Sequence, residues 1–140
     1  MPYAASSSTS EVCVPIDTDR DIVEARKRGR ALADDAGFSL TDLAIIATAI
    51  SELARNTLQY ASGGQIVVRL AGDHDRRGIE IIAADDGPGI DDVPRALQDG
   101  YSTSGSLGLG LPGVRRLMDE FQIESQPGEG SIVTAKKWRR

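Results

Sequence analysis

The chain has 140 residues, 40% of them hydrophobic, and a formal net charge of −5. This length suits one domain with a real core and is short for two. The acidic balance argues against a nucleic-acid footprint, the single cysteine excludes an intrachain disulfide, and no apolar run is long enough for a membrane span. With no basic-then-apolar leader at the start, the expected location is a reducing cytoplasm.

Residues 1–10 hold five Ser or Thr and two Ala without periodicity. They are expected to be a disordered lead to a single domain over residues 11–140. Val12, Val14 and Ile16 alternate and predict a strand over residues 11–16, on a sheet edge because Pro15 lacks a donor N–H. Cys13 within it is read as a small apolar strand residue. From 19 to 36, Ile22, Val23, Ala25, Leu32, Ala33 and Ala36 recur among charges and predict an amphipathic helix closed by Gly37. The internal Gly29 weakens that helix by about 1 kcal/mol without ending it.

Ser39 is placed to cap a second helix over residues 40–61, which stops at Gly63 and Gly64. Leu43, Ile46, Ile50 and Leu53 recur at helical spacing and face the core, while Ile45, Ala49 and Leu58 leave little of the other side for water. Through this helix runs a polar line, Thr48, Glu52, Asn56 and Gln59. Unpaired polar groups are costly to bury, so these residues bond internally or look into a ligand site.

Residues 65–70 and 79–84 predict a hairpin around a long loop, in which the only histidine, His74, is read as a surface turn residue. The second strand breaks into Asp85-Asp86-Gly87-Pro88-Gly89-Ile90. A carboxylate just past a buried strand end can accept from an exocyclic amine, and neighbouring glycines let the backbone lie against a flat base. The same residues would also make an ordinary turn. Residues 91–97 predict a short helix.

The stretch 99–113, DGYSTSGSLGLGLPG, holds five glycines in fifteen positions and runs into an apolar-periodic segment, residues 111–121, read as a helix. Without Cβ atoms the backbone can approach an anion closely, and the helix N-terminus adds unpaired N–H groups and a positive dipole end. A flexible surface linker is the plainer alternative. Strands over residues 122–126 and 131–138 follow, joined by a turn at Pro127-Gly128-Glu129-Gly130. Lys136, Lys137, Arg139 and Arg140 are read as a small, solvated basic end. The element order predicts an α+β two-layer sandwich, a mixed, mostly antiparallel sheet covered by three helices on one face.

Three elements thus stand in fixed order: Glu52-x-x-x-Asn56 on a helix, Asp85-x-Gly87-x-Gly89 after a strand, and Gly105-x-x-Gly108-x-Gly110 before a helix, with Gly130-Ser131 opening the final strand. In this order they resemble the ATP-binding fold shared by gyrase, histidine kinases and MutL, the GHKL or Bergerat fold. The runs TAISELARN (48–56), DDGPGI (85–90) and DGYSTSGSLGLGLPGVRRLMDEF (99–121), with the Lys137-Trp138 ending, resemble its RsbT branch. That branch contains the stand-alone serine kinases of bacterial sigma-factor partner switching. The resemblance covers about residues 11–140.

The resemblance implies a serine/threonine kinase using ATP and Mg²⁺. Asn56 would hold Mg²⁺ through its side-chain oxygen, and Asp85 would accept from the adenine amino group. Gly87 and Gly89 would shape that pocket, and Ser131 would support it through water. Thr103, Ser104, Gly105, Gly108, Leu109 and Gly110 would form the lid and phosphate cradle. Glu52, one turn before Asn56, would orient or deprotonate an incoming hydroxyl. Two positions depart from the pattern: Gln59 stands where many histidine kinases carry a basic residue, so it is given no phosphate contact, and Ser131 replaces the usual Thr while keeping the hydroxyl. The implied partners are STAS-domain proteins (RsbS- or RsbR-like) and an RsbU-like PP2C-type phosphatase, with neither nucleic acid nor membrane; a weak homodimer is among the assemblies admitted. Two other readings stay open: an anti-sigma factor of the RsbW or SpoIIAB type, and an ATP-sensing module without transfer chemistry.

Overall fold

The structure, a computed structural model, describes residues 11–61, 63–72, 75–87, 110–125 and 128–139. In chain order the elements are β1 (Glu11–Ile16), α1 (Asp19–Asp35), α2 (Leu40–Tyr60), β2 (Gly64–Gly72), β3 (Arg77–Asp85), α3 (Gly110–Leu117), β4 (Glu120–Ser125) and β5 (Ser131–Trp138). The sheet order is β1-β2-β3-β5-β4. All four ladders are antiparallel, so among the described residues the sheet is antiparallel throughout rather than mixed.

The period-2 pattern of the strands sends Val14, Ile16, Ile66, Val68, Ile79, Ile81, Val133 and Ala135 to one buried face. There they meet the apolar stripe of α2, where Leu43, Ile46, Ile50 and Leu53 are sealed from water. Each such side chain contributes about 1.5–3 kcal/mol when fully buried, so this layer is the main source of stability. Between α1 and the core, Gly29 lies where an added Cβ would stand 2.4 Å from Cδ1 of Ile50 and 3.1 Å from Cγ2 of Val68. Its missing side chain lets the helix settle onto α2 and β2.

Both long helices end as their residues dictate. Asp21 accepts from the Asp17 N–H (2.8 Å) and the Thr18 N–H (3.0 Å), tying down the start of α1. At its C-terminus Gly37 has φ +90°, Phe38 N–H reaches Ala33 O, and Gly37 N–H reaches Asp34 O, closing a left-handed cap over buried Phe38. Ser39 Oγ accepts from the Asp42 N–H at 3.1 Å and starts α2.

Three expectations need correction. The third helix stops at Leu117 instead of running to 121, and β4 already begins at Glu120. The reason lies in β5: Asp119 N–H donates to Lys136 O at 2.9 Å, its carboxylate accepts the Trp138 N–H at 2.7 Å, and Phe121 pairs with Ala135. The basic end is not simply solvated. Lys137 is buried with its Nζ 3.9 Å from Asp42, Lys136 lies 3.9 Å from both Glu80 and Glu120, and Arg139 donates to Ala36 O. Cys13 faces outward on β1 and is exposed, its Sγ 3.3 Å from Oε1 of Gln65. The lead over residues 1–10, His74 and the short helix over 91–97 lie outside the described residues. No described helix is long and apolar enough to cross a membrane.

Candidate active site

Helix α2 is the spine on which the separated segments converge. Its polar line is half-buried at Thr48, Glu52 and Asn56 and emerges into solvent at Gln59. Glu52 is held from two sides: Oε2 accepts from Nη1 of Arg55 at 2.6 Å, and Oε1 accepts from the N–H of Gly110, the first residue of α3, at 3.2 Å. The end of the glycine-rich stretch is therefore fixed against the acid one turn before Asn56. Gly110 itself has φ +67°, a backbone conformation that favours glycine.

The last turn of α2 meets the end of β3. A Cβ built on Gly64 would stand 2.9 Å from both Cγ2 of Thr57 and Cβ of Asp85, which sets the neighbour of Asn56 beside Asp85 across this glycine. Gly87 lies against the helix end, since its Cβ would be 2.7 Å from that of Ala61. Thr57 is buried and spends its hydroxyl on Leu53 O at 3.0 Å, so it adds no free polar group here.

Asp85 is pinned through both oxygens. Oδ1 accepts from the Gly87 N–H at 2.9 Å and Oδ2 accepts from the Ser131 hydroxyl at 2.7 Å. A carboxylate has about four acceptor positions, so a third partner can still be taken. Its orientation is enforced by the sheet, because Asp85 and Ser131 are directly paired across β3 and β5. Preceding Ser131, Gly130 has φ +83°, and a Cβ there would sit 2.2 Å from Asp85 O. Arg55 and Gly130 were not among the predicted site residues. Arg55 could have been found from its i, i+3 spacing to Glu52, and Gly130 from its place before Ser131 at the strand start.

Glu52, Asn56, Asp85, Gly87, Gly110 and Ser131 are thus placed along α2, at the two strand ends and at the first residue of α3. Gly89, Thr103, Ser104, Gly105, Gly108 and Leu109 lie outside the described residues. A cleft of about 1100 Å³ shares Gly64, Asp85, Gly130 and Ser131 with this site, and Pro15, Gln65, Ala84, Glu124 and Ile132 are among its other lining residues. Those side chains alternate with the buried ones, so much of this cleft lies on the sheet face away from the helices, and neither Glu52 nor Asn56 lines it.

A sequence model of the histidine kinase-like ATPase domain matches residues 15–137. The chain belongs to the histidine kinase-like ATPase family. This ATPase-family chain is 54% identical to the serine/threonine-protein kinase RsbT of Bacillus subtilis over 128 residues, covering 91% of this chain and 96% of the relative. It is 32% identical over 120 residues to an anti-sigma F factor of Caldanaerobacter subterraneus, covering 81% of this chain and 82% of the relative. Among solved structures, the RsbU and RsbW domains of a Mycobacterium tuberculosis protein align with TM-score 0.59 at 23% identity, over 92% of this chain and 32% of that one. The SiaB–SiaC complex of Pseudomonas aeruginosa aligns with TM-score 0.59 at 13% identity, over 97% of this chain and 95% of that one. These two likenesses carry the α+β fold of the family.

Proposed function

We propose that this histidine kinase-like ATPase domain is an ATP-dependent protein serine/threonine kinase of a bacterial partner-switching module. The observation that supports it most directly is the Glu52 carboxylate, fixed 3.2 Å from the Gly110 N–H at the exit of the glycine-rich stretch. An acid held there, one helical turn from Asn56, suits a group that accepts the proton of a seryl or threonyl hydroxyl. The hydroxyl oxygen then bonds to the γ-phosphorus as the bond to the departing ADP oxygen breaks. Such transfer asks chiefly for positioning and charge neutralisation.

The residues present fit ATP. Asp85 offers a pinned acceptor for an exocyclic amine, and Gly64, Gly87 and Gly130 let the neighbouring backbone pack closely around it. In this reading Asn56 supplies the protein oxygen for Mg²⁺. The ion, when bound, would neutralise triphosphate charge. Among the described residues no group of three or more His, Cys, Asp or Glu could hold a metal, so most other ligands would come from phosphate and water. Gly89, Thr103, Ser104, Gly105, Gly108 and Leu109 complete the adenine pocket, lid and phosphate cradle in this proposal.

The acceptors proposed are RsbS- or RsbR-like STAS-domain proteins. An RsbU-like PP2C-type phosphatase is the proposed partner of the free kinase, in the cytoplasm. Incubation of labelled ATP with an RsbS-like STAS protein tests this reading. Wild type should transfer label, Glu52→Gln should lose at least about a hundredfold in rate, and Asn56→Ala should lose Mg²⁺-dependent nucleotide binding. Equal transfer by wild type and Glu52→Gln would remove Glu52 as the base.

The identity to an anti-sigma F factor supports a second reading, a binding protein that sequesters a sigma factor and phosphorylates its antagonist. Tight stoichiometric retention of a sigma factor in a pull-down would favour it over the first.

A further inference from the structure

The geometry points to Arg55 as the positioning residue for the catalytic carboxylate, an inference that rests on Glu52 acting as the base. Its guanidinium stands 2.6 Å from Oε2 of Glu52, and the opposite oxygen of the same carboxylate takes the Gly110 N–H at 3.2 Å. The three groups form one chain, from the surface of α2, through the acid, to the first residue of α3.

A glutamate on an open helix face samples several rotamers, and an ion pair at i, i+3 spacing ordinarily does little to stop it. Here the two partners are unequally exposed. The Glu52 side chain keeps 11% of its surface in water and the Arg55 side chain 37%. The acid is therefore mostly out of water, where the ion pair is less screened, and the arginine approaches it from the solvent side. The guanidinium is always charged and meets Oε2 through one nitrogen, a point contact that a lysine ammonium can also make. Held by Arg55 at Oε2, the carboxylate presents Oε1 to the start of α3. Each oxygen still keeps acceptor capacity for an incoming hydroxyl.

Losing this hold has a defined consequence. The carboxylate would swing, the Gly110 N–H would lose its partner, and the base would miss its geometry while the nucleotide pocket around Asp85 stayed intact. A misplacement of about 1 Å in a reacting group can cost on the order of a hundredfold in rate. The signature is a fall in kcat with little change in the KM for ATP.

Arg55→Gln and Arg55→Lys in the full chain test this with two readouts. By NMR, the Gly110 amide should exchange with solvent several-fold faster in Arg55→Gln and near the wild-type rate in Arg55→Lys. In labelled-ATP transfer to an RsbS-like STAS protein, Arg55→Gln should lose at least about tenfold in kcat with the KM for ATP within about twofold, and Arg55→Lys should recover most of that loss. Unchanged Gly110 exchange in Arg55→Gln overturns the positioning role whatever Glu52 does. Unchanged kcat also overturns it, and Glu52→Gln assayed alongside locates the fault. If Glu52→Gln is inactive the error lies in Arg55, and if it transfers at the wild-type rate the error lies in the base assignment.

Discussion

The Ser131 hydroxyl donates a 2.7 Å hydrogen bond to Oδ2 of Asp85, joining the last strand of the sheet to the acid at the end of β3. The other oxygen of that acid is taken by the Gly87 N–H, so the carboxylate plane is set before any ligand arrives. Removing the hydroxyl frees one end. Ser131→Ala should therefore weaken ATP binding by about 2- to 10-fold, the worth of one net hydrogen bond. Ser131→Thr, which keeps the oxygen, should bind more tightly than Ser131→Ala. Titration calorimetry with a non-hydrolysable ATP analogue measures both, and an unchanged affinity in the alanine variant would mean that Asp85 is oriented without Ser131.

The turn before Ser131 contains its own control. Gly130 and Gly128 both have positive φ, +83° and +80°. A Cβ at Gly130 would lie 2.2 Å from Asp85 O, whereas one at Gly128 would have nothing within 4 Å. Gly130→Ala must strain the turn and also push β5 from β3. It should destabilise by about 2–4 kcal/mol, against about 1 kcal/mol for Gly128→Ala, which meets only the backbone penalty. Chemical unfolding of the two variants compares them directly, and equal losses would contradict the contact argument.

Much of this arrangement was legible in residues alone, and the parts that were not share a cause. Leu43, Ile46, Ile50 and Leu53 announce α2 because their spacing matches only a helix. Phe121 fits two periods, extending the apolar stripe of α3 and also alternating with Ile123 in β4. What decided between them was pairing with Ala135 on β5 and the two bonds made by Asp119, neither of which is local. Lys137 looked like part of a solvated tail because its partner, Asp42, is ninety-five positions away. In the candidate site, Glu52, Asn56 and Asp85 were readable as costly polar groups on apolar elements. Arg55 was not, since a half-exposed arginine beside a glutamate is ordinary until the glutamate's second oxygen is seen to reach α3.

Stability should vary with pH through the cap of α1. The backbone N–H groups of Asp17 and Thr18 hold the Asp21 carboxyl below its ordinary value of 3.8, with the Thr18 hydroxyl adding a smaller push in the same direction. A carboxyl lowered on folding adds stability that is complete above its unfolded value and fades as the pH falls through its folded value. The stability difference between wild type and Asp21→Ala should therefore be constant from about pH 6 to 8 and shrink below about pH 4. Urea midpoints across that range check it. A difference that persists undiminished at about pH 3 would show that the ionised cap is not its source.

Gly29 sets two local rules against each other. On helix propensity alone, alanine in α1 should be better than glycine by about 1 kcal/mol. The added Cβ would, however, lie 2.4 Å from Cδ1 of Ile50, a side chain with no exposure and therefore no space to retreat into. Val68 Cγ2, at 3.1 Å, blocks the other direction. Overpacking of this kind costs about 1–3 kcal/mol, so Gly29→Ala should be destabilising on balance despite its better propensity. Deleting the obstructing methyl supplies the proof. Ile50→Val alone should cost about 0.5–1.5 kcal/mol, yet in the Gly29→Ala background it should restore stability because the new Cβ occupies the volume it vacates. A double-mutant cycle by chemical unfolding measures the coupling, and simple additivity of the two losses would show that α1 moves away from α2 instead of packing against it.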